Sequence, residues 1–144
     1  MAHVQWLGVR FDDVDHAQIV YFPRLFGYCH WVFEDFFRLE VQVPYAQMLN
    51  GRGIGFPTVH ADADFKSPLR FGDVCRVELR TLKISTRSIT NQYRLYLGDT
   101  QTLCAQVQIA VVAVRLASLE PVPLPDEVKA AFGRHLEPPA PGSA

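Results

Sequence analysis

The sequence predicts an α+β domain in which one long apolar helix is wrapped by a curved antiparallel sheet. Three observations predict it. Apolar side chains recur with helical spacing from Tyr21 to about Leu39. From Thr58 onward the period changes to two, in four successive runs. The order of segments is one short strand, one long helix, then a series of strands, and a sheet curled around the helix is the efficient way to bury it.

The first strand is read from Val4 to Phe11, with mixed alternation. An acid-rich loop follows, Arg10-Phe11-Asp12-Asp13-Val14-Asp15-His16-Ala17-Gln18. In the helix, Phe22, Leu25, Phe26, Cys29, Val32, Phe33, Phe36 and Phe37 form one broad apolar face, and Pro23 suits the first turn. Tyr28 and Trp31 lie off that face, so the helix carries aromatic surface on more than one side and reads as central. Val41 to Gly55 is a connection with a helical turn around Tyr45 to Leu49. Strands are then read over Thr58–Lys66, Val74–Ile84, Ser88–Leu97 and Thr102–Val114 as a four-strand meander, with Gly98-Asp99 marking the last hairpin. The Thr102–Val114 run becomes apolar on both faces and is read as central. Pro121 to Pro125 leads into a terminal helix from Asp126 to about Leu136, with Asp126 as its N-cap.

Composition bounds the function. A chain of 144 residues, 49% hydrophobic and 20% charged, is globular with a real core. It is read as one domain over residues 1–137 with a disordered Pro-rich tail at 138–144. Lys+Arg total 14 against Asp+Glu 15, a net charge of −1, so no basic excess exists to neutralise a nucleic-acid backbone. Cys29, Cys75 and Cys104 are odd in number and widely spaced, which fits reduced thiols and neither a disulfide framework nor a zinc site. With no signal-peptide pattern and no 18-residue apolar stretch free of charge, the expectation is a cytoplasmic protein with no membrane span.

The acidic loop before the helix carries the chemistry. A helix N-terminus presents unpaired N–H groups and a partial positive charge, so it stabilises a carboxylate or a developing oxyanion. On residue type alone Asp15 reads as a loop or capping acid or as a catalytic carboxylate. Asp13 reads as a partner for Arg10 or for backbone donors, Asp12 as solvated, and His16 as a surface histidine more than a metal ligand. His60, Asp62 and Asp64 read as the wet face of one strand.

Phe11, Asp13, Asp15, Ala17, Ile19, Val20, Tyr21, Phe22 and Pro23 resemble the active-site segment of the hotdog-fold thioesterases, most closely the 4-hydroxybenzoyl-CoA thioesterase branch. The element order is similar over residues 4 to 116. The resemblance implies the hotdog fold and an acyl-CoA thioesterase releasing free acid and coenzyme A, with an aromatic or medium acyl group. It implies Asp15 as nucleophile or general base and the backbone N–H groups of Tyr21 and Phe22 as oxyanion donors. Gln18, Phe26, His30 and Arg87 become the residues expected at the substrate, and Glu34 the reserve carboxylate. Coenzyme A arrives as part of the substrate, and no other cofactor or metal is expected. A homodimer or homotetramer is implied, formed edge to edge.

The chain departs from the family at three places. Gln18 stands where the family has a glycine, a strained choice if φ is positive there. The turn Lys83-Ile84-Ser85-Thr86-Arg87-Ser88 offers Lys83 and Arg87 in place of a tandem basic pair for the coenzyme A phosphates. His30 stands where the hydroxybenzoyl enzyme uses a carboxylate to read the substrate hydroxyl. Two alternatives remain open on sequence: an acyl-thioester hydratase or dehydratase using Asp15-His16, and a binding module without turnover.

Overall fold

The computed structural model describes residues 1–139. Strand β1 (His3–Gly8) is followed by a single 3-10 turn at Phe11–Asp13 and the long helix α1 (Phe22–Phe36). The first strand is therefore shorter than the sequence suggested. Asp13 explains the stop, because its carboxylate takes the Arg10 N–H and turns the chain out of the extended path. Helix α1 continues into one π-helical turn, Phe37–Val41, which closes at Gln42 with φ +64°. Helix α2 (Tyr45–Asn50) occupies the expected helical turn.

Five strands form one antiparallel sheet in the order β1, β4 (Val74–Ile84), β5 (Ser88–Leu97), β6 (Leu103–Val112), β3 (Thr58–Phe65). Of the expected four-strand meander, only β4–β5–β6 is consecutive. β3 and β4 do not pair: β3 lies on β6 at one edge, and β1 lies on β4 at the other. The alternation cannot show this, because the 66–73 connection carries the chain from one edge to the far side of β5. β6 is interior, as its two apolar faces suggested. A two-residue ribbon of β2 (Ile54–Gly55) and β7 (Val114–Arg115) ties the connection after α2 to the end of the sheet. Helix α3 (Asp126–Gly133) closes the chain, with Pro125 as its N-cap and Asp126 already in the first turn. Pro125 has a helix-compatible φ but a ψ of 143°, the non-helical backbone of a capping position.

The core lies between α1 and the concave face of the sheet. Leu25, Cys29, Val32, Phe33, Phe36 and Phe37 are buried along the predicted stripe. Phe36 stacks on Phe132 of α3 at 4.1 Å, and Phe37 packs on Phe56 at 5.2 Å. Each such ring stabilises the fold by roughly 1.5–3 kcal/mol. Phe22 departs from the expectation: it is 56% exposed, covered in part by Phe65 of β3. Tyr28, off the stripe, is fully buried and stacks on the half-exposed Trp31. The three cysteines are all buried in this core. No helix among the described residues is long and apolar enough to cross a membrane. Residues 140–144 of the expected tail lie outside the described residues.

Candidate active site

The acidic loop folds as a tight hairpin. Val14 and Val20 pair across it. The Asp15 N–H donates to the Ile19 carbonyl (3.2 Å), and the Gln18 N–H donates back to the Asp15 carbonyl (2.9 Å). This is a three-residue hairpin loop, a turn followed by one left-handed residue. Gln18 is that residue, with φ +63°. Glycine adopts this conformation freely, whereas a glutamine pays about 1 kcal/mol for it. The Ala17 N–H donates to Asp15 Oδ1 at 2.8 Å, the local turn that short acids favour. The other Asp15 oxygen meets no donor among the described residues, and the side chain stands exposed.

Asp13 is the opposite case. It is 2% exposed, and its Oδ2 accepts the Arg10 N–H (2.9 Å) and the Tyr28 O–H (2.6 Å). A hydrogen bond to a buried carboxylate contributes roughly 1.5–3 kcal/mol. Burial, reinforced by the bond to Asp13, drives the Tyr28 hydroxyl far above its ordinary range, so it remains a donor. The Asp13 carbonyl accepts the Tyr21 N–H at 2.9 Å. Of the two backbone donors expected at the helix start, Tyr21 is thus committed. Phe22, the first helical residue, keeps its N–H free of any intramolecular bond among the described residues, and Pro23 has none to offer.

A groove runs from this point between α1 and the edge strand β3, which lie antiparallel. Phe65 packs against Phe22 (5.9 Å) and Phe26 (6.5 Å). Beside the hairpin opens a pocket of about 310 Å³ walled by Ile19, Val20, Phe22, Leu25 and Phe65. Farther along the helix lies a second, of about 190 Å³, bordered by Phe26, His30, Phe33, Phe56, Asn91 and Tyr93. His30 is exposed at its rim, with Nε2 3.7 Å from the Glu34 carboxylate. This pocket is aromatic with a few polar groups, the usual make-up of a small-ligand site.

The structure therefore brings Asp15, Gln18, Tyr21 and Phe22 together at the helix start, with Phe26 and His30 one and two turns along. Arg87 is not with them. It precedes β5 at the end of the sheet remote from the hairpin, and ten residues of strand span roughly 30 Å. Glu34 lies about 18 Å along α1 from Phe22. His16 and Asp12 are exposed. His60 pairs with Asp62 at 2.8 Å on the exposed side of β3. Sequence reasoning did not single out Asn91 and Tyr93, although strand alternation places them on the face of Ile89 and Leu95, which looks into the core. Tyr28 was read only as a flank residue, and nothing in the periodicity shows its reach to Asp13.

Comparison with known proteins agrees with this architecture. The sequence matches the Thioesterase-like superfamily over residues 9–132. It is 32% identical over 123 residues to a 1,4-dihydroxy-2-naphthoyl-CoA hydrolase of Thermosynechococcus vestitus, covering 85% of this chain and 82% of that one. The crystal structure of a 1,4-dihydroxy-2-naphthoyl-CoA thioesterase from Synechocystis superposes with a TM-score of 0.83 at 26% identity, over 92% of this chain and 96% of that one. A gentisyl-coenzyme A thioesterase superposes with a TM-score of 0.77 at 26% identity, over 91% and 99%. The chain belongs to the Thioesterase-like superfamily, and it is a hotdog-fold thioester hydrolase.

Proposed function

We propose that this protein hydrolyses an aromatic acyl-CoA to the free acid and coenzyme A, with the Asp15 carboxylate driving the attack. The observation that carries the reading is one carboxylate oxygen on the exposed hairpin and one helix N-terminal N–H, both unengaged among the described residues, with Phe22 itself in the wall of the adjoining apolar pocket. A thioester carbonyl oriented toward the Phe22 N–H is polarised, and its oxyanion is stabilised as it forms. Asp15 attacks the carbonyl carbon to give an acyl-enzyme, or takes a proton from the water that attacks; the C–S bond breaks and the thiolate leaves. On the acyl-enzyme route, water then hydrolyses the anhydride and restores Asp15.

The acyl ring fits along α1. From Phe22 to Phe26 is one helical turn, about 6 Å, which brings a ring attached at the carbonyl to the Phe26–His30 pocket. The names of the relatives, naphthoyl- and gentisyl-CoA hydrolases, favour an aromatic acyl group. The remote position of Arg87 supports a shared site, in which a second copy pairs through the exposed edge β3 and brings its own arginine to the coenzyme A phosphates.

Thiol release from benzoyl-, hydroxybenzoyl-, naphthoyl- and straight-chain acyl-CoAs tests the reading, with wild type and Asp15→Asn measured together. Turnover of the aromatic substrates that falls at least about a hundredfold in the variant is expected. Undiminished turnover in Asp15→Asn overturns the assignment of the carboxylate. Ligand binding without release leaves a binding module.

A further inference from the structure

We infer that Tyr28 and Asp13 are positioning residues, whose buried hydrogen bond sets where the Asp15 carboxylate stands relative to the Phe22 N–H. This rests on the reading of Asp15 as the reacting carboxylate.

The geometry is a short chain of fixed contacts. Tyr28 sits in the second turn of α1, fully buried, its ring stacked on Trp31 at 5.5 Å. A helical side chain leans toward the N-terminus, so this ring reaches back past the first turn. Its hydroxyl meets Asp13 Oδ2 at 2.6 Å, and the same oxygen takes the Arg10 N–H at 2.9 Å. Through its carbonyl, Asp13 also holds the Tyr21 N–H, one residue before the free donor. Asp13 is thus bonded both to the helix body and to the residue that opens the helix, and it lies two residues before Asp15. The arms of the Asp15 hairpin are also held by Val20, buried in the core, and by Val14 packed against it. Its tip from Asp15 to Gln18 is exposed, and outside the hairpin it is tied by the Val20 N–H to the Leu69 carbonyl (2.8 Å). A shift of Asp13 is passed to Asp15 over two residues, and a displacement near 1 Å costs up to about a hundredfold in rate.

Nothing about the arrangement requires either residue to touch substrate. Asp13 has its one engaged oxygen filled by protein donors and is 2% exposed. A buried tyrosine hydroxyl aimed at a buried carboxylate therefore acts through Asp15 or only as a brace for the fold. The two roles separate by experiment.

Steady-state kinetics on the best aromatic acyl-CoA are measured for wild type, Tyr28→Phe, Asp13→Asn, the double variant, Val32→Ala and Asp15→Asn. Rates are taken per folded molecule, well below each melting temperature. Val32 is fully buried on the same helix, one turn beyond Tyr28, and carries no hydrogen-bonding side chain, so it reports plain loss of packing. The expected result is a fall in kcat of about tenfold in Tyr28→Phe with KM nearly unchanged, and a double variant no worse than Asp13→Asn alone. Val32→Ala keeps its kcat although it is destabilised. Wild-type kcat in Tyr28→Phe, or an equal fall in Val32→Ala, overturns the positioning role. Asp15→Asn separates the two readings: if it retains activity, the catalytic assignment itself fails, whereas an inactive Asp15→Asn beside a fully active Tyr28→Phe defeats only this inference.

Discussion

Gln18 holds a left-handed backbone, φ +63°, at the one hairpin position where glycine has no penalty. Its side chain is exposed and makes no hydrogen bond among the described residues, so no packing offsets the strain. Gln18→Gly is therefore expected to stabilise the protein by about 1 kcal/mol, a rise of a few degrees in Tm by calorimetry. An unchanged or lower Tm shows that the amide contributes something the backbone angle does not reveal. At this scale the sequence was partly legible. A motif whose central aspartate is the carboxylate proposed to react, with a glutamine in a glycine's place, pointed to the strained site. It could not show that the Tyr21 N–H is used up by Asp13, because that bond depends on how the hairpin docks against the helix.

Between elements, a second polar junction lies away from the groove. His3 of β1 bonds Glu40 through Nδ1 (2.8 Å), and His135, just past α3, bonds the same carboxylate oxygen through Nε2 (3.0 Å). One glutamate at the end of the π turn thereby joins the first strand, the long helix and the C-terminal segment. Burial alone would raise its carboxyl, yet the His3 hydrogen bond and the nearby His135 hold it below the ordinary glutamate value. A lowered acid lends stability above its unfolded value and loses it as pH falls toward the folded one. Unfolding free energy should thus drop below about pH 4.5, and Glu40→Gln should flatten that part of the curve in urea titrations followed from pH 6 to pH 3. An identical acid limb in the variant removes Glu40 from the account. Elements themselves were read well where local rules decide them: β4 and β5 match their predicted spans because alternation ends sharply at Gly72-Asp73, Ser85 and Gly98. The Phe22 side chain was misjudged because helical periodicity gives the face a residue lies on and not how fully its neighbours cover it.

For the molecule as a whole, strand neighbours were the least legible property, since β3 and β4 are consecutive in sequence yet separated by two strands. That separation leaves β3 as a free edge, with Val59 62% and Phe65 49% exposed. An uncovered edge of this length invites pairing with another strand. On the reading that a second copy supplies it, sedimentation should give about twice the chain mass of 16.3 kDa or a multiple of that, and specific activity should decline on dilution as the pairs separate. A monomer with full activity at all concentrations rules out a shared site.

The buried thiols bear on how any of this is measured. Burial pushes the Cys75 thiol up to about 12 and raises Cys29 and Cys104 as well, so the folded chain presents no reactive thiolate. A disulfide dye following turnover therefore counts product alone while the protein is native. Once the core opens, three more equivalents appear per chain. The dye that reports catalysis then becomes a clock for unfolding, and the rate at which it slowly labels resting protein measures how often the core breathes.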